Sequence, residues 1–83
     1  MIMALGILME GHEQIGPLSV RELYTKLGEI AVANSVTIPK TAEWFGRKLT
    51  AQKRVIESEL HVVLIDEHGH KRERRITLKK KKD

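Results

Sequence analysis

A chain of 83 residues has room for one domain. With 41% hydrophobic and 31% charged residues, it has the composition of a folded protein and not of a disordered one. Cysteine is absent, which excludes a disulfide framework, a thiol nucleophile and a cysteine metal site, and suits a reducing, cytoplasmic setting. The net charge of +4 is unevenly spread: residues 1–39 carry net −2 and residues 40–83 carry net +6. A basic half beside an acidic half marks a side that faces a partner.

The chain opens on MIMALGILM, nine apolar residues. That is too short to span a bilayer. No basic stretch precedes it and no small-residue cleavage site follows it, so a signal peptide is not expected. Residues 1–10 read as a first helix, or a linker end, packed on the core. GHEQIGP (11–17) reads as a loop, with two glycines and a proline.

A helix is expected over 20–33. Ser19 and Glu22 have capping-box spacing, and Leu18 with Leu23 fits a hydrophobic staple. Val20, Leu23, Tyr24, Leu27, Ile30 and Ala31 recur at helical spacing. Asn34-Ser35 ends the run, and VTIPK is a connector or a brief edge strand. Thr41 is the next cap. Ala42, Phe45, Leu49, Gln52 or Lys53, and Ile56 line one face of a helix running to about Ser58. Its other face carries Glu43, Arg47, Lys48, Thr50, Ala51 and Arg54. Trp44, the single tryptophan, is expected to complete the small core.

LHVVLID (60–66) reads as a strand. Residues 67–70 supply the turn, with Gly69 able to take a positive φ. KRERRITL (71–78) is the returning strand, with Arg72, Arg74, Ile76 and Leu78 on one face. Residues 79–83 read as a basic tail, adding nonspecific affinity or only solubility.

Three helices followed by a basic-tipped two-stranded hairpin is the order of an α+β winged helix, here one domain over 1–83. In that fold the third helix enters the DNA major groove, which is wide enough for it. The hairpin, or wing, places cations on phosphates. The candidate contacts are Lys40, Thr41, Arg47, Lys48 and Arg54 from the third helix and its approach. From the wing they are His70, Lys71, Arg72, Arg74 and Arg75. With so few aromatics for base stacking, duplex DNA is the expected partner.

IPKTAEWFGRKL (38–49) also resembles the WPKTPxALSGRL-type segment near the C-terminus of phage- and plasmid-derived primase–helicase proteins. The similarity continues in ELHVVLI (59–65), which looks like a GIEVEF-type strand, and in DEHGHKRERRITL (66–78), which looks like a REGRxxTRxIxI-type basic turn. It covers residues 18–78. Pro39, Lys40, Thr41, Leu49 and Ile76 match that pattern; Ile38 stands for its tryptophan, Ala42 for its second proline and Trp44 for its alanine. The resemblance implies the appended DNA-binding module of a mobile-element replication protein. It does not imply the engine, because no GxxxxGK[ST] loop and no metal-spaced acid cluster is present.

Other chemistry finds little support. Ser19, Ser35 and Ser58 sit at helix ends, and Asp66-Glu67 is an adjacent pair at a turn, so no enzyme activity is expected. His68-x-His70 lacks a third ligand, so neither a metal nor another cofactor is expected, nor a small-molecule substrate. Two alternatives use the same fold. One is a protein-interaction module docking through residues 1–10. The other is a small transcription regulator, which needs a dimer that no heptad run supports.

Overall fold

The computed structural model describes residues 1–69 and 74–81. In chain order these form α1 (Ile2–Met9), β1 (Gln14–Ser19), α2 (Val20–Asn34), α3 (Ala42–Ala51), α4 (Lys53–Leu60), β2 (Val62–His68) and β3 (Arg74–Lys80). The strands make one antiparallel sheet in the order β1-β3-β2. The described residues therefore form an α+β fold of four helices and three strands, where the sequence suggested three helices and two strands.

α1 is apolar almost all round, and such a helix must be covered. It packs on α2 and α4 and buries Ala4, Leu5 and Met9. α2 starts as expected: the Ser19 hydroxyl accepts the Glu22 N–H at 3.1 Å. Leu23 and Leu27 are buried beneath it. The helix stops at Ser35, which takes a left-handed conformation at φ 53°. Tyr24 ties the following connector down, donating from its hydroxyl to the Pro39 carbonyl. Its ring also meets Phe45, with centroids 5.6 Å apart.

The expected loop 11–17 is half strand. Gln14–Ser19 pairs with β3 across an irregularity between Ile15 and Leu18. Those two residues are three apart, so strict alternation would send them to opposite faces. The extra residue turns both inward, Ile15 opposite Leu78 and Leu18 opposite Ile76. Gly16, at φ 99°, makes this work: a Cβ there would lie 2.4 Å from the Ile76 carbonyl oxygen.

The expected single helix to Ser58 is two. α3 ends at Ala51, Gln52 departs from helical geometry, and hydrogen bonding resumes with Ile56 N–H to Gln52 O at 2.9 Å. Neither glycine nor proline marks the break. After the break α4 buries Ile56 and packs on β2 and α1, with Leu60 against Gly6.

The basic tail begins later than the sequence indicated. Lys79 and Lys80 belong to β3 and pair with Val63 and Val62. Lys81 follows, donating its N–H to the His61 carbonyl. Of the expected turn, Glu67 and His68 belong to β2; residue 70 and the expected strand start at 71–73, like 82 and 83, lie outside the described residues. The inner sheet face carries Val62, Leu64, Ile76 and Leu78, joined by Ile15, and closes the core over Phe45, Leu49, Ile56, Leu23 and Leu27. The far edge of β2 is partly covered, because the Glu57 carboxylate accepts the Leu64 N–H at 3.2 Å.

Candidate nucleic-acid interface

α3 sorts its side chains by face. Thr41 caps it, its hydroxyl accepting the Trp44 N–H at 3.2 Å. Phe45, Gly46 and Leu49 face inward and are buried. At 3.6 residues per turn the opposite line runs through Trp44, Arg47, Lys48 and Ala51, all exposed. Trp44 is thus an outward residue at 56% exposure, and not the core residue the sequence suggested. The helical phase explains the correction: Trp44 sits next to Phe45, off the 42-45-49 stripe. The Arg47 guanidinium lies over its ring, 5.4 Å from the centroid.

Lys40 and Thr41 lie at the N-terminal approach to α3 and are exposed. With Pro39, Trp44 and Lys48 they line an open recess of about 390 Å³. Arg54 and Lys53 project from α4. Lys40, Thr41, Arg47 and Lys48 are therefore gathered around one helix, with Arg54 beyond the break. Thr41 is occupied as the cap. Lys53 and Trp44 were not among the residues the sequence singled out as contacts.

The hairpin residues divide. His70, Lys71 and Arg72 lie outside the described residues. Arg75 is exposed on the outer sheet face, opposite Glu67 on β2 and Ser19 on β1. Arg74 turns inward. Its Nε donates to Asp66 Oδ1 at 2.9 Å and its Nη2 to Asp66 Oδ2, a bidentate pair. The same Nη2 donates to Thr50 Oγ1 at 2.8 Å, and Nη1 donates to the Gly46 carbonyl at 3.3 Å. A guanidinium engaged four times within the fold is a tether between hairpin and α3.

Sequence periodicity already put Arg74 on the face of Ile76 and Leu78. What it lacked was the register. Asp66 opposes Ile76 and His68 opposes Arg74, so Asp66 and Arg74 are diagonal neighbours. Gly46 leaves room for the tether, since a Cβ there would stand 2.9 Å from Arg74 Nη1 and 3.4 Å from Val20 Cγ1. The hydrogen bonds from Arg74 hold the Asp66 carboxyl below the usual aspartate range, against the opposing effect of partial burial. Asp66 in turn raises the Arg74 pKa. His68 Nε2 lies 3.7 Å from Asp66 Oδ1, an ion pair only when the imidazole is protonated.

No family model, curated protein or solved structure matches this chain. Among the described residues, no helix is long and apolar enough to cross a membrane.

Proposed function

We propose that this chain is a duplex-DNA-binding module of the winged-helix kind, with α3 in the major groove and the β2–β3 hairpin as the wing. One observation carries the reading. The outward line of α3 holds Arg47 and Lys48 beside an exposed Trp44, on a helix bound to the hairpin through Arg74. The strand order β1-β3-β2, with β1 between the first two helices, supports the winged-helix arrangement. α3 is ten residues long, about 15 Å, a length that fits along the groove. The likeness of residues 38–49 to primase–helicase C-terminal regions supports a place in phage or plasmid replication.

The test is fluorescence anisotropy with a labelled duplex of about 20 base pairs, between about 50 and 200 mM salt. Neutralising about five phosphates gives a slope of log affinity against log salt of roughly −4 to −5. The double change Arg47→Ala, Lys48→Ala reduces the magnitude of that slope by about 2, because each phosphate contact contributes about 0.9. Absence of binding at the lowest salt overturns the reading.

A further inference from the structure

Trp44 is one of the large apolar residues exposed at the surface. An indole on the outermost line of a helix leaves a large apolar area in water, although a buried position for Phe45 lies one residue away. Two features surround it. Arg47 lies over its face at 5.4 Å. The adjoining recess is lined by Pro39, Lys40, Thr41 and Lys48. Among the described residues, none hydrogen-bonds the Arg47 guanidinium, so its fork of donors is held over the ring but not consumed by the fold.

If α3 lies in a major groove, the groove's chemistry restricts what this pair can meet. The apolar group displayed there is the 5-methyl of a pyrimidine, and the match for an arginine fork is guanine, through O6 and N7. Neighbouring bases are about 3.4 Å apart along a strand. A guanidinium and an indole 5.4 Å apart therefore span neighbouring bases more readily than distant ones.

Resting on the duplex-DNA reading above, we infer that α3 reads a 5-methylpyrimidine followed by guanine. Trp44 covers the methyl and Arg47 takes the guanine, while Lys40 and Lys48 hold the flanking phosphates. The methyl belongs to thymine or to 5-methylcytosine, and the two share this chemistry.

Repeat duplexes of about 20 base pairs test this, because every binding register then presents the step. The probes are TG repeats, the same repeats with uracil for thymine, TC repeats, and CGAA repeats with and without 5-methylated cytosine. TC repeats contain thymine and guanine but never place a methylated pyrimidine 5′ to guanine. The parent protein is expected to bind TG repeats about four-fold more tightly than UG repeats, the effect of one covered methyl. It is expected to prefer TG to TC repeats by about ten-fold. A matching gain on cytosine methylation extends the reading to both pyrimidines, and a gain with TG alone assigns thymine.

Trp44→Ala should lower affinity for TG repeats about four-fold, to the level of UG repeats, and so remove the thymine–uracil difference. Arg47→Lys should reduce the TG-over-TC preference while keeping a positive charge. Circular dichroism checks that both variants fold. Equal affinity of the parent for TG and UG, or for TG and TC, overturns the inference and leaves the duplex-binding reading standing. Absence of binding to every duplex overturns both.

Discussion

Asp66 and Arg74 hold each other across a diagonal of the β2–β3 ladder, and the pair behaves differently from a surface salt bridge. Their side chains are 18% and 23% exposed, and the contact is bidentate, so solvent screens it only in part. Asp66→Asn keeps the shape but leaves the guanidinium without its charge partner, at an expected cost of about 1–3 kcal/mol. The acid dependence follows from the direction of the shift. Asp66 is lowered from its ordinary value of 3.8, so its stabilisation is present above that value. It is lost as pH falls through the folded pKa below it. Urea unfolding of parent and Asp66→Asn should show a full stability gap near about pH 6 that narrows toward about pH 3. A gap that stays constant over this range would mean the carboxylate contributes nothing through its charge.

At the scale of elements, neighbouring residues of α3 divide the labour. Phe45→Ala should cost about 3–5 kcal/mol by opening the core, whereas Trp44→Ala should change stability by about 0.5 kcal/mol or less. Thermal melts followed by circular dichroism separate the two. β1 depends on Gly16 in another way. An alanine there drives its Cβ into the Ile76 carbonyl at a backbone angle L-residues avoid, so Gly16→Ala should cost more than about 2 kcal/mol. Faster amide exchange along β1 and β3 would report the loss.

The same elements explain what the sequence disclosed. Ser19, Thr41 and the stripes 23-27 and 45-49 were legible because caps and helical periodicity are local signals. β1 was hidden because Gly16-Pro17, ordinary loop chemistry, serves there as a sheet irregularity that only a partner strand reveals. The break at Gln52 carries no glycine or proline to mark it, only a polar residue in the apolar stripe. At the site, Arg47 and Lys48 were legible from phase. The outward position of Trp44 follows from helical phase and not from its size, and the partners of Arg74 depend on a long-range register that local sequence does not carry.

For the whole molecule, the first ten residues are structural before anything else. Ala4, Leu5 and Met9 are fully or almost fully buried and belong to the single core cluster. A domain of this size has a small stability margin, about 5–15 kcal/mol at most, and burial of each large apolar side chain contributes roughly 1.5–3 kcal/mol. Deleting residues 1–9 should therefore abolish the cooperative thermal transition. Retention of a sharp transition would mean that α2 to β3 fold alone.

If the chain grips DNA as proposed, the Arg74 tether also bears on how fast that DNA leaves. Helix and hairpin joined through one guanidinium meet a ligand that touches both as a single rigid grip. Once one half is seated, the other is already at a high effective concentration and has little orientational freedom left to lose. Escape then requires both halves to release together. On that reading, loosening the tether at Thr50 and Asp66 would shorten residence time while leaving the rate of first encounter nearly unchanged.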